Sequence, residues 1–167
     1  MERLKRKIVL LGLIAAGLLL AVFFVAEYLS ATTVVFAKQL TGLDGPTGVA
    51  IGDYDNDGLN DLAIAEDGAY AKRVTVYKSD GVTILKQWTG LDGPDGVAIG
   101  DYNNDGLNDL AFSECRAGGN VTVYASDGVS VIKKWTGLNF PAGVAIGDYD
   151  NDGLNDLAFA EYNADRV

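Results

Sequence analysis

The chain contains no histidine, and its 167 residues include a single cysteine, Cys115. Without His there is no imidazole, the side chain most often used for general acid–base work. Cys115 has no imidazole partner to take its proton, and no Gly-x-Ser-x-Gly segment marks a nucleophile elbow. These absences argue against an enzyme. One cysteine also excludes an intramolecular disulfide; it suits a small buried hydrophobe, with pairing between chains as the alternative. Basic residues are scarce as well. Residues 28–167 hold 9 Lys or Arg against 21 Asp or Glu, a net charge near −12. With no basic patch beyond residue 7, nucleic acid is not an expected partner. Helical periodicity is missing throughout the same region.

What the chain does have begins at its N-terminus. Residues 8–26 carry no polar side chain. Nineteen residues rising about 1.5 Å each span roughly 28 Å, enough for a hydrocarbon core. Arg3, Lys5, Arg6 and Lys7 precede the run, and the positive-inside rule keeps such a segment cytoplasmic. Residues 1–7 therefore read as a basic cytoplasmic tail, 8–26 as a transmembrane helix or signal-anchor and 27–33 as a linker. The alternative is a cleaved signal, whose apolar core usually runs only about 7–15 residues. Val35-Phe36-Ala37 would suit a signal peptidase but lies well past the run. The expectation is a membrane-anchored chain with its following domain outside the cytoplasm, or a secreted one after cleavage. Either way calcium is abundant there. Asn120-Val121-Thr122 matches a glycosylation sequon at the expected start of a strand.

The most informative segment is Asp53-Tyr54-Asp55-Asn56-Asp57-Gly58-Leu59-Asn60-Asp61. It returns at 101–109, with Asn103 in third place, and at 148–156. Oxygen side chains at positions 1, 3, 5 and 9 around a Gly at 6 suit a loop wrapping a hard cation. Calcium takes about six to eight such ligands with flexible geometry. Position 7 would lend its backbone carbonyl (Leu59, Leu107, Leu154), so its side chain is free to be apolar. Eleven of the acids lie in these three loops. Like charges that close oppose folding unless a cation neutralises them. An EF-hand is excluded, because its bidentate Glu at position 12 is replaced by Ile64, Phe112 and Phe159. The flanks are short β-like runs, so each loop bridges two strands.

Asp53, Asp101 and Asp148 stand 48 and then 47 residues apart, a period typical of solenoids, propellers or arrays. Each unit reads as four strands: Gly-Val-Ala-Ile-Gly, then Asp-Leu-Ala-Ile-Ala-Glu, then Arg-Val-Thr-Val-Tyr, then a run ending in Trp88 or Trp135. Ser79-Asp80-Gly81 and Ser126-Asp127-Gly128 are hairpin signals between the last two. The fold class is all-β, with repeated four-stranded antiparallel blades of propeller type after one N-terminal helix. The small-residue first strand suits the innermost position and the Trp strand the outer one. The tryptophans recur with the period, so covering a neighbour explains them better than a cofactor does.

The segment Val-Ala-Ile-Gly-Asp-Tyr-Asp-Asn-Asp-Gly-Leu-Asn-Asp-Leu-Ala resembles the FG-GAP/VCBS repeat of integrin α-like propellers and of exported microbial proteins. The resemblance covers about residues 34–167, with blades at about 48–88 and 96–135 and a partial one at 143–167. It implies about three structural calcium ions. Their side-chain ligands would be Asp53, Asp55, Asp57 and Asp61 in the first loop. The second would use Asp101, Asn103, Asp105 and Asp109, and the third Asp148, Asp150, Asp152 and Asp156. Asn103 supplies an oxygen without a charge, so the second site is expected to be the weakest.

A strand at 34–40 would be an outer strand, and the third blade stops at Arg166-Val167, where its third strand should start. Propellers usually need about four to eight blades. The chain is therefore a fragment of a longer family member, a partner in a homo-oligomer that completes the ring, or an open stack with exposed edges. The function implied is a non-enzymatic adhesion or ligand-binding module recognising an extracellular protein or glycan. The alternatives are an accessory subunit of a surface complex and a non-catalytic piece of an exported enzyme.

Overall fold

The computed structural model describes residues 39–162. The tail at 1–7, the apolar run at 8–26, the linker at 27–33, most of the strand expected at 34–40 and the Arg166-Val167 end lie outside them. Gln39 and Leu40, the described end of that strand, belong to no strand. Among the described residues there is no helix, and so none long and apolar enough to cross a membrane.

Ten strands follow in order: β1 (Pro46–Gly52), β2 (Asp61–Asp67), β3 (Lys72–Tyr77), β4 (Ile84–Thr89), β5 (Pro94–Gly100), β6 (Asp109–Glu114), β7 (Ala117–Tyr124), β8 (Val131–Asn139), β9 (Pro141–Gly147) and β10 (Asp156–Glu161). They form two four-stranded sheets in chain order, β1 to β4 and β5 to β8, and a two-stranded sheet of β9 and β10. Every pairing between them is antiparallel. The all-β, blade-like fold expected from the repeat is the fold observed. Between β3 and β4 the Asp80 carboxylate accepts the amides of Val82 and Thr83, and Gly81 takes φ 65°. Asp127 and Gly128 repeat that turn between β7 and β8.

The burial patterns reveal how the sheets stack. β2 and β6 are buried on both faces for most of their length, whereas β10 alternates. A strand covered on both sides reads as a continuous apolar run, and one covered on a single side alternates. The first interface gathers Val74, Val76, Val97, Leu110 and Phe112 into one core. The second gathers Ala98, Ala111 and Val123 against Val144, Ile146 and Leu157. Trp88 closes the first, its ring 5.9 Å from Phe112 and 5.4 Å from Tyr124. Trp135 closes the second, 6.4 Å from Tyr102 and 5.7 Å from Phe159. Both tryptophans are packing residues on the outermost strand of their sheet.

β1, β5 and β9 lie side by side as the innermost strands. Glycine makes their approach feasible at two places. A Cβ on Gly96 would stand 2.7 Å from Gly143 Cα, and one on Gly48 would collide with the Asp95 carbonyl. At the opposite end of β1, Ile99 fills the space a Cβ on Gly52 would take, 2.7 Å from Cγ2.

Two single residues differ from expectation. Cys115 is half-buried rather than in a core, because it sits in the turn between β6 and β7, where its amide donates to the Gly93 carbonyl. Burial pushes its thiol pKa up, and the charge of nearby Asp95 adds to the effect. Asn120 lies within β7 instead of starting it; its Nδ2 donates to Glu114 Oε2 at 2.7 Å. That side chain is already committed to the sheet.

Since backbone faces backbone at Gly96, even one methyl there must push the neighbouring sheets apart. Gly96→Ala is expected to destabilise the chain by about 1–3 kcal/mol, the usual cost of overpacking, in equilibrium urea unfolding.

Candidate metal centre

Three loops on one rim join β1 to β2, β5 to β6 and β9 to β10. Each folds around its own first aspartate. Asp53 accepts the amides of Asp57 at 3.0 Å and Gly58 at 2.8 Å. Asp101 accepts those of Asp105 and Gly106, and Asp148 those of Asp152 and Gly153. Position 3 accepts the position-5 amide as well, from Asp55, Asn103 and Asp150 alike. Position 5 accepts the leucine amide two residues on, at 2.8–2.9 Å in all three loops. Position 9 reaches back to the position-2 tyrosine amide at 3.0 Å from Asp61, Asp109 and Asp156. Capturing inward-pointing N–H groups draws the carboxylates together, and each oxygen still has a lone pair to offer.

Backbone geometry imposes the rest. Gly58, Gly106 and Gly153 at position 6 take φ of 87°, 90° and 89°, and Asn56, Asn104 and Asn151 at position 4 take 58°, 59° and 62°. This left-handed region suits Gly and, among other residues, Asn best. The side chains of Leu59, Leu107 and Leu154 point into solvent, as a position with only a carbonyl to lend permits.

The three sites differ in charge. Carboxylate oxygens of Asp53, Asp55 and Asp61 lie within 4.8 Å of one another, and so do those of Asp148, Asp150 and Asp156. Asp57 and Asp152 fall outside these triads. Asp57 is instead bridged with Asp55 by the Lys78 ammonium, at 2.8 and 2.6 Å. That contact holds the Asp57 carboxyl below its ordinary range and raises the Lys78 pKa. Lys78 thus fills the place of a cation between two candidate ligands. Ala125 stands at its position in the second unit.

The second loop forms no triad of carboxylates, since Asn103 is an amide whose Nδ2 donates to Asp105 Oδ2 at 2.9 Å. Its Asp109 is fully buried, and Oδ1 has no hydrogen-bond partner. In the first loop the equivalent Asp61 Oδ1 accepts the Ser79 amide at 2.9 Å. Burial raises the Asp109 pKa, with the charges of Asp105 and Asp101 adding and the amides of Asn103 and Tyr102 opposing. A buried, unpartnered carboxylate oxygen is costly unless a proton or cation meets it. The donor set in all three loops is oxygen throughout, which suits a hard cation.

Sequence reasoning missed the residues that tie the loops together. Asn108 donates its backbone N–H to Asn56 Oδ1 at 3.2 Å and its side-chain Nδ2 to the Asp53 carbonyl at 2.7 Å. Asn155 does the same to Asn104 and Asp101, at 3.1 and 2.7 Å. Positions 4 and 8 are Asn in every copy, and that regularity was the available signal. At the other end of the strands Glu66 and Glu114 accept the linker amides of Asp44 and Asp92, and Glu161 accepts that of Asn139.

Two outcomes follow from these contacts. Lys78→Ala frees Asp55 and Asp57, so the first loop should bind calcium several-fold more tightly in a calorimetric titration. Asn108→Ala removes a bridge between sheets and should cost about 0.5–1.5 kcal/mol in chemical unfolding, the net worth of a hydrogen bond.

A family model described as FG-GAP-like repeat matches the chain twice, over residues 53–112 and 101–159. Comparison with curated proteins finds no match. Each matched span runs from one acidic loop into the second strand of the following unit. Together they take in all three loops and more than half of the chain, which belongs to the FG-GAP-like repeat family.

Proposed function

We propose that the chain is a non-enzymatic calcium-binding repeat module, anchored through residues 8–26 and displayed outside the cytoplasm. Its role is adhesion to a protein or glycan ligand. One observation carries the calcium assignment: three consecutive loops gather oxygen ligands by capping their own amides, and in the second a buried carboxylate oxygen is left without a partner. Asp53, Asp55, Asp57 and Asp61, with the Leu59 carbonyl, would hold the first ion. Asp101, Asn103, Asp105 and Asp109, with the Leu107 carbonyl, would hold the second. The third falls to Asp148, Asp150, Asp152 and Asp156 with the Leu154 carbonyl. Bound calcium would neutralise the crowded carboxylates. Its role is structural: a rigid loop at position 1 holds the carbonyl, and at position 4 the amide oxygen, to which the next sheet's asparagine bonds. The rim that these loops form is the surface assigned to ligand recognition, as in other propeller-type scaffolds where loops carry binding.

Calorimetric titration of calcium into chelator-stripped protein is expected to give three sites. Asp53→Ala should lose more affinity than Asn103→Ala, because it removes a charge and two amide contacts. Calcium at roughly a hundredfold excess over its Kd adds about 2.7 kcal/mol per site, so chelation should lower the melting temperature. A melt indifferent to both chelator and calcium would overturn the site assignment. Adhesion to glycan- or matrix-protein-coated surfaces should fall on chelation, and binding that survives it would remove the rim from recognition.

A further inference from the structure

The loops are joined ligand to ligand. Asn155 stands between Leu154 and Asp156, two residues assigned to the third ion. Its Nδ2 donates to the Asp101 carbonyl at 2.7 Å, and its backbone N–H to the Asn104 side chain at 3.1 Å. Asp101 is the first ligand of the second loop, and Asn104 lies between Asn103 and Asp105, two more of its ligands. Asn108 makes the same two bonds from the second loop to Asp53 and Asn56 of the first. Each asparagine therefore has a ligand residue on either side in the chain and a neighbouring loop's ligand residue across its hydrogen bond. The acceptors are set by the loop as well. Asp101 caps the amides of Asp105 and Gly106, and Asn104 is held at φ 59°. An ion that fixes the Asp101 carboxylate also fixes the carbonyl to which Asn155 bonds.

We propose that the asparagine rungs couple the loops, so that each filled loop raises its neighbour's calcium affinity; this rests on the calcium assignment above. Without an ion, the crowded carboxylates of a loop repel one another and work against its folded shape. The first ion orders its own loop and, through the rung, part of the next. A second ion then has less conformational freedom to remove, which is positive coupling without a large displacement. The effect is reciprocal, since coupling between two binding sites acts equally in both directions. Charge works against it. The third loop has four carboxylates, so it carries −4 empty and −2 with calcium bound, and filling it weakens the pull on a cation next door. Physiological salt screens exposed charges over about 8 Å, whereas the side-chain bond of the rung is direct and part-buried. The rung is expected to prevail. Two neutral hydrogen bonds place the coupling at the low end of the usual range, about fivefold.

The test follows the amides of Gly58, Gly106 and Gly153 by NMR as calcium is added to the full-length chain in detergent micelles at physiological salt. Each of these amides donates to the first aspartate of its own loop, so each reports one site. With four carboxylates against three, the third loop is expected to fill before the second. Asp150→Ala removes one of its ligands and leaves it empty at the calcium levels that fill the second. The Gly106 midpoint should then move to about fivefold higher calcium. Charge alone predicts the opposite, because the emptied variant loop carries −3 where the filled loop carried −2. In an Asn155→Ala background, the same Asp150→Ala change should leave Gly106 where it was. Asn104→Gly keeps the left-handed turn, removes one acceptor and should weaken the Asp150→Ala effect in the same way, so the outcome does not depend on one variant folding. A Gly106 midpoint that stays or falls with Asp150→Ala, or rises equally without the rung, overturns the coupling and leaves the calcium sites standing. Glycine amides that ignore calcium in the wild type overturn the calcium assignment, and the coupling with it.

Discussion

Everything in this fold hangs on how closely three inner strands approach one another. A single four-stranded sheet has two faces to cover and cannot cover either alone. Stacking solves this only if β1, β5 and β9 come near enough for the sheets behind them to interdigitate. Gly48 and Gly96 let backbone meet backbone there, and Gly52 and Gly100 receive the isoleucines of the next strand. With that distance set, Trp88 and Trp135 on the outer strands can reach the aromatic residues of the adjoining sheet. The middle sheet, covered on both sides, shows the result most fully: Leu110, Ala111 and Phe112 are successive residues and all are buried.

The acidic loops belong to the same packing, because each is held to the next by an asparagine. Asn108 bonds both to the Asp53 carbonyl and to the Asn56 side chain, so the first loop's shape and the second sheet's position depend on each other. A cation that stiffens a loop thereby acts on a sheet interface, and a shift between sheets acts on a loop. Position 2 reports this coupling. Tyr54 is buried beside Trp88. That burial, with the charges of Asp127 and Asp109 adding to it, pushes the phenol pKa up to about 12. Tyr149, at the same position of the third loop, is 88% exposed.

Near-identical loops have also acquired different electrostatics. The first has a lysine reaching in from its own sheet to bridge two aspartates. The second has an amide in place of one carboxylate, an alanine in place of that lysine, and a buried carboxylate oxygen with no partner. Replacing Asp by Asn and Lys by Ala changes two charges of opposite sign at neighbouring positions, which keeps the local balance while altering which groups compete for a cation. Charge counting along the loop alone, with Asn103 as the only difference, would miss half of this.

By itself the sequence determined the periodic features: the strands, the Asp-rich loops between the first two strands of each unit, and the inner and outer placement of the glycine and tryptophan strands. These are legible because local pattern, turn chemistry and period all repeat in register. The sheets match that reading closely, as Gly48, Gly96 and Trp88 illustrate. Only the tertiary structure decided which residues meet across sheets. Lys78 is 23 residues from Asp55, and Asn108 is 55 from Asp53; neither partnership has a local signature. The same is true of Asp109, whose orphaned oxygen follows from a burial that Asp61 shares but satisfies through Ser79. Val49 and Ile51 are 67% and 70% exposed, whereas Val97 and Ile99, at the same places in the next repeat, are buried and half-buried against the first sheet. Sequence period assigns a residue to a face, but only the presence of a neighbouring sheet buries it.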